Sequence, residues 1–392
     1  HPYGYTGFSY DISGIAHFGE QENVVSVKVT HTDIADSRWY TGSGITRKVT
    51  LVVEEQVHPA EYGVTFVTEK LVADGKEFPE VQAAVSIHHE ICNQTKEQKT
   101  CVVCTKLSDP QGTPVAEWKE QVQIPAGNTV SCSMHGTIRD PKCWSPEHPD
   151  LYGMETWYET TDEDGKKISY LADKQKVGIR VAEFDADRGF FLNGVPMKIK
   201  GVCVHHDAGC LGAAVTKEVW HRRFAKLKEC GCNAIRCSHN PHMPELYELC
   251  DTMGFLVMDE AFDYWYRMKS PNSPYNRYFM QDFKADTAAM VQDAYNHPSV
   301  VIYSIGNEIP EAGGVKGVRV GKEIVDAIHA LDATRPTTLC PSVHWLREYL
   351  DGTPYLTTDE DEWMRDDPER QKADWMHYAS IFRSAVNNLP DN

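Results

Sequence analysis

Residues 296–308 read NHPSVVIYSIGNE: Asn296-His297-Pro298-Ser299, then Val300-Val301-Ile302-Tyr303-Ser304-Ile305, then Gly306-Asn307-Glu308. The central run is almost continuously apolar, which predicts a strand of a parallel sheet, with polar residues delivered at its mouth. The same arrangement recurs on either side. Upstream, Met197–His206 reads as a strand, followed by a helix from a Thr216 N-cap with Trp220, Phe224 and Leu227 on one face. Asn233–Cys237 reads as a second strand, and Leu246, Leu249, Cys250 and Met253 mark a helix that Gly254 ends. Phe255–Asp259 is a third strand, before a helix around Phe283, Met290, Val291 and Ala294. Downstream, Ile324, Ile328 and Leu331 line one more helix. Strand and helix thus alternate four times, as in a doubly wound sheet or a (β/α)8 barrel. No Gly-x-Gly-x-x-Gly follows the first strand, which counts against a dinucleotide site.

The first 180 residues carry a different pattern. Val25, Val27 and Val29 alternate with polar residues, as do Val81, Ala83, Val85 and Ile87; Val49, Leu51 and Val53 do so less cleanly. Turn signals such as Asp74-Gly75, Ala126-Gly127-Asn128 and Asp164-Gly165 separate such runs. Many short strands without helices predict β-sandwich modules. Residues 54–182 suffice for one immunoglobulin-like sandwich, whereas 1–53 are too few for a sandwich of their own. The chain begins at His1 within strand-like sequence, without an initiator Met or signal peptide, and is read as a fragment or processed product.

Composition narrows the function. A net charge of −18 without a basic cluster argues against nucleic acid, and no run of about 18 apolar residues predicts a membrane span. The 12 cysteines are scattered rather than framing a small domain. Reduced thiols are expected, which favours a cytoplasmic location without excluding export. Cys101 and Cys104 form a lone CxxC in strand-like sequence near His88 and His89, and no second pair completes a zinc site.

All four predicted strands end in polar residues: His205-His206-Asp207, Ser238-His239-Asn240, Asp259-Glu260 and Asn307-Glu308. In a barrel these would gather at the C-terminal face, where active sites of that architecture are built. Glu308 is the sharpest candidate. A carboxyl partly buried there would have a raised pKa and could donate a proton to a leaving oxygen; a helix-capping loop is the plainer reading. Asn307 could bond a sugar hydroxyl. His205 and His239 can donate and accept, and are candidate ligands for hydroxyls. Asp259 and Glu260 could touch substrate or hold Arg236 and nearby backbone in place. Trp265, with Tyr264 and Tyr266, offers a stacking platform or core packing. A metal site is the rival for the Cys203–Cys210 segment, but His205 and His206 of one strand point to opposite sides.

At these residues the sequence resembles glycoside hydrolase family 2, most closely its bacterial β-galactosidases. The resemblance rests on Gly194–Gly212 (GVPMKIKGVCVHHDAGCLG), Asn233–Pro241 (NAIRCSHNP), Pro244–Trp265 (PELYELCDTMGFLVMDEAFDYW) and Asn296–Glu308. Ser37–Val49 (SRWYTGSGITRKV) is similar to the closing segment of the family's N-terminal jelly-roll domain. The resemblance implies a multidomain β plus α/β chain: 1–53, the C-terminal part of a jelly roll; 54–182, an immunoglobulin-like sandwich; 183–392, the N-terminal part of a TIM barrel.

It also implies a retaining exo-β-glycosidase, a β-galactosidase in the first instance, hydrolysing terminal β-D-galactosides by double displacement. Glu308 would be the acid/base, and Asn307, His205 and His239 would bind sugar above a site floor that includes Arg236. β-Glucuronidase or β-mannosidase is the alternative within the family, and a non-catalytic carbohydrate-binding fragment the alternative outside it. Two positions depart from the pattern: Tyr264 replaces a magnesium-binding carboxylate, and Arg38 a sodium-binding aspartate. No cofactor is therefore expected. The partner is a β-galactoside or related small carbohydrate, and a homo-oligomer is compatible with the family. The nucleophilic glutamate belongs on a later barrel strand. Glu360 and Glu362 lie in a hydrophilic run without an apolar strand before them and are read as a loop, ahead of a helix over Ala373–Val386. The nucleophile is thus expected outside this sequence, and the chain alone is expected to be inactive.

Overall fold

The computed structural model describes residues 1–30, 44–73, 81–162, 164–266, 275–313 and 315–340. Arg38, Asp74-Gly75, Glu360, Glu362 and the helix expected over 373–386 lie outside them, as does part of the 37–49 segment.

Seven antiparallel strands form two sheets. β1 (Val57–Ala73), β2 (Val81–Asn93) and β5 (Thr129–Arg139) make the first, in the order β1-β2-β5. β3 (Lys99–Ser108), β4 (Pro114–Ile124), β6 (Tyr152–Thr161) and β7 (Lys167–Val177) make the second, in the order β4-β3-β6-β7. The alternation seen in the sequence is the reason. Ala83, Val85, Ile87 and Ile91 of β2 all point inward and, with Val103, Leu107, Met154 and Tyr158 of the facing sheet, fill the space between the sheets. Cys101 and Cys104, three residues apart, project from opposite faces of β3.

The valines nearer the N-terminus behave differently. Among the described residues before Val57 no strand forms, and Val25 and Val49 are each 75% exposed. Alternation supplies one apolar face, but a strand also needs a neighbour to pair its backbone and bury that face, and among the described residues these valines have neither. The segment is nevertheless anchored. Tyr3 is buried, and Arg47 donates to the Pro241 carbonyl at 2.7 Å.

A short sheet of β8 (Ala182–Asp185), β9 (Gly189–Leu192) and β10 (Val195–Pro196) leads into the α/β part. There, β11 (Gly201–His205), β12 (Ala234–Ser238), β13 (Leu256–Glu260), β14 (Val300–Asn307) and β15 (Thr337–Cys340) pair in parallel. Helices α1 (Lys217–Glu229), α2 (Pro244–Met253), α3 (Asn276–Ala294) and α4 (Val315–Leu331) alternate with them. The strand order is β11-β12-β13-β14-β15. A doubly wound sheet reverses direction at a switch point; this one adds each strand to the same edge, as a barrel does. Trp220 and Phe224 of α1, Leu246 and Cys250 of α2, and Phe283 and Met290 of α3 are buried in one core with Ile235, Val257 and Tyr303 of the strands. Leu331, expected to be apolar lining, is 39% exposed at the end of α4.

Sandwich and barrel are joined mainly by polar side chains that grip backbone. Asn296 Nδ2 donates to the Val64 carbonyl (2.8 Å) and its Oδ1 accepts from Phe66 N (2.9 Å). Arg180 donates to the carbonyls of Pro298 and Val300, and Trp144 Nε1 to that of Asp251. Pro298 lies against Gly178, where a Cβ would come within 2.5 Å of its ring.

Candidate active site

Residues 236, 260 and 304 face the barrel interior near the C-terminal ends of three adjacent strands, and their side chains make one network. Arg236 donates from Nη2 to both Glu260 oxygens (2.9 and 2.8 Å) and from Nε at 3.1 Å. Ser304 Oγ donates to Glu260 at 2.7 Å, and His239 Nδ1 does so at 2.7 Å. Glu260 is completely buried, so a carboxylate there requires this many donors to offset its lost hydration. Burial opposes the charge on Arg236, but the Glu260 carboxylate outweighs it and raises the guanidinium above its usual pKa. Arg236 Nη2 also donates to Asn307 Oδ1 at 2.8 Å, and Asn307 Nδ2 donates to Asp263 at 3.0 Å. The Asn307 amide is therefore fixed in orientation. The ring of His205 meets that of His239 edge to face at 5.1 Å.

Glu308 stands at the rim of this network. Its backbone has φ 48°, a left-handed conformation uncommon for a residue with a Cβ, and its N–H donates to the Cys340 carbonyl at 2.6 Å. The chain thus turns sharply out of β14 while remaining tied to β15. Such strain costs about 1–3 kcal/mol and concentrates at functional positions.

The structure corrects three expectations. The partial burial expected of Glu308 is absent, for its side chain is exposed. Asp259 does not face substrate: it is wholly buried on the helix side of β13 and accepts from Tyr247 of α2 at 2.8 Å. Strand alternation sends Glu260 inward and Asp259 outward. Burial pushes the Asp259 carboxyl up to about 7, against the opposing bond from Tyr247. Trp265 is no platform. Its ring is 1% exposed, stacks on Phe279 at 6.0 Å, and donates from Nε1 to the Ile305 carbonyl at 3.0 Å. Core packing prevails because Gly306 and Gly321 leave the indole room beside the backbone.

Tyr264 is 8% exposed in the apolar core, so a divalent ion has no carboxylate ligand from that position. Among the described residues no group of three or more His, Cys, Asp or Glu side chains is arranged to hold a metal. All 12 cysteines are free thiols.

Sequence reasoning missed several contributors. Ser304 is the one small polar residue in the apolar run 300–305, and that interruption was the available signal. Asp263 had none beyond its place after Asp259-Glu260. Tyr3 is remote in sequence, yet it accepts from Asn240 Nδ2 at 2.9 Å and donates to the Ala261 carbonyl, bracing the loops after β12 and β13.

Two family profiles account for most of the chain: "Glycosyl hydrolases family 2" over residues 65–180 and "Glycosyl hydrolases family 2, TIM barrel domain" over residues 185–377. The chain belongs to glycoside hydrolase family 2. Among curated family members, the β-galactosidase BoGH2A of Bacteroides ovatus is 41% identical over 310 residues, covering 79% of this chain and 35% of that protein. A putative β-glucuronidase of Formosa agariphila is 34% identical over 324 residues, covering 82% of this chain and 29% of that protein. The chain therefore spans about a third of the length of these relatives. Among solved structures, a family 2 member from Bacteroides cellulosilyticus superposes with a TM-score of 0.75 at 32% identity, over 89% of this chain and 43% of that one. Family 2 membership accounts for the order of a β-sandwich followed by the TIM-barrel strands.

Proposed function

We propose that this chain carries the acid/base half of a retaining exo-β-glycosidase. The observation that carries it is the placement of Asn307 and Glu308 at the mouth of β14, one amide fixed by Arg236 and Asp263 and one carboxylate exposed to an incoming ligand. Glu308 protonates the departing glycosidic oxygen, then takes a proton from the water that cleaves the glycosyl-enzyme. The nucleophilic carboxylate, required about 5–5.5 Å away in this mechanism, lies beyond the described residues. Asn307 and the histidines orient the sugar. With Nδ1 of His239 engaged by Glu260, Nε2 is the nitrogen available to a hydroxyl.

β-Galactosides are the substrate we favour. A glucuronide would bring a carboxylate that needs a cation, and Arg236 at the site floor is already shared between Glu260 and Asn307. The relative named a β-galactosidase is also more similar to this chain than the one named a putative β-glucuronidase. The residues assigned to 1–53 would be the end of a jelly roll, those of 54–182 the sandwich, and those from 183 on the barrel.

The test is Glu308→Gln in the full-length polypeptide. Cleavage of substrates with poor leaving groups should fall about 10²–10⁴-fold, while a nitrophenyl galactoside, which needs little protonation, is damaged far less in its first step. Azide should restore turnover of the nitrophenyl substrate and give a β-glycosyl azide. Equal loss on both substrates without azide rescue would assign Glu308 a different role. Faster wild-type turnover of the glucuronide than of the galactoside would overturn the sugar assignment alone.

A further inference from the structure

Behind the loops that carry His205 and His239 lies a second group of polar rings, turned away from the site. His206 follows His205 on the opposite side of the chain, and His242 lies three residues past His239. Their ring centroids are 5.2 Å apart, and Trp220 of α1 completes the group at 6.0 Å from His206 and 5.5 Å from His242. The three side chains are 7%, 1% and 0% exposed in the order His206, His242, Trp220. With one ring nitrogen of His242 taken by the Ser238 carbonyl, three of their atoms are left without a hydrogen-bond partner: His206 Nδ1, the other His242 nitrogen and Trp220 Nε1. Buried orphans of this kind are scarce in folded proteins, and each costs about as much as a lost hydrogen bond. Three on rings packed against one another call for a shared partner.

The donor set restricts what that occupant is. The indole N–H only donates, whereas a neutral imidazole donates from one nitrogen and accepts at the other. Burial pushes His206 down to about 3 and His242 well below its ordinary value, and the Arg47 charge nearby acts in the same direction on both. Backbone hydrogen bonds to the carbonyls of Ala213, from His206, and Ser238, from His242, pull the other way. Both rings are therefore neutral at physiological pH. An anion would find no cationic ring, and a cation would be opposed by Arg47 and by the indole N–H. A small neutral molecule that both donates and accepts can serve all three.

We propose that a buried water molecule bridges His206, Trp220 and His242, and that it locks the loop after β11 to the loop after β12 from behind. Internal waters commonly hold two to four such partners. The site is independent of the glycosidase reading and survives its failure.

Two measurements on the full-length polypeptide test it. A high-resolution crystal structure should show a density peak about 2.7–3.2 Å from at least two of the three atoms. An empty site overturns the proposal, as does a peak with the anomalous signal of a transition metal. The second is the urea midpoint of His242→Leu. Removing a ring that a water satisfies should lower the midpoint by something on the order of 0.5 M. If the rings are dry, leucine relieves an unsatisfied group and the midpoint rises, which would equally reject the water.

Discussion

Asp259 and Glu260 are chain neighbours with opposite surroundings. Glu260 accepts from an arginine, a histidine and a serine, whereas Asp259 meets a tyrosine hydroxyl and apolar packing. The sequence placed both at a strand end but did not tell them apart. A strand covered on both faces is apolar on both, so its pattern does not mark which side is the barrel interior. The consequence is measurable. The folded pKa of Asp259, about 7, lies above the unfolded value of about 4. The protonated form is the one the fold prefers. Its stabilising contribution is complete below about pH 4 and is lost as the pH rises through about 7. Asp259→Asn keeps the shape and cannot ionise. Its unfolding midpoint should therefore fall less between pH 4 and 8 than that of the wild type. Parallel pH profiles for the two proteins would refute the assignment.

At the scale of elements, the sequence reading was most accurate where apolar period and punctuation agreed. Gly254, at φ 72°, ends α2 where expected, and Trp220 and Phe224 are the buried face of α1. It was least accurate where burial depends on partners remote in the chain, as with Val25 and Val49, or on space left by distant glycines, as with Trp265. The segment 296–299 proved to have a role its spelling did not suggest. Its first residue binds the sandwich, His297 pairs with Asp251, and the Ser299 N–H donates to the same carboxylate at 3.1 Å. Loss of the Asn296 amide should cost about 1–3 kcal/mol, because the Phe66 N–H loses its partner and the Val64 carbonyl keeps only Gln175 Nε2, at 3.2 Å. In Asn296→Ala, hydrogen exchange at Phe66 should accelerate while β3 and β6 keep their protection. Unchanged exchange at Phe66 would mean the sandwich is held by other contacts.

For the molecule as a whole, alternation of strand and helix left two architectures open, and the order in which strands pair selects the barrel. That order is a long-range property, fixed by handed crossovers over α1 to α4 rather than by any local pattern. The site follows from it: residues from four strand ends meet only because each strand lies beside its predecessor. Legibility therefore ended at pairing and facing, while the residue types at the strand mouths were already visible.

The joint between the two layers of this chain recognises main chain more than side chains. Asn296, Arg180 and Trp144 address the carbonyls of Val64, Pro298, Val300 and Asp251, and Lys228 addresses that of Pro146. A carbonyl is present whatever residue bears it. Mutational tolerance across the joint should accordingly be lopsided. In a saturation library selected for folded protein, Asn296, Arg180 and Trp144 should accept almost no replacement. Val64 and Val300 should accept other aliphatic residues freely, so that over evolutionary time the gripped positions drift on both sides of the seam while the gripping ones stay fixed.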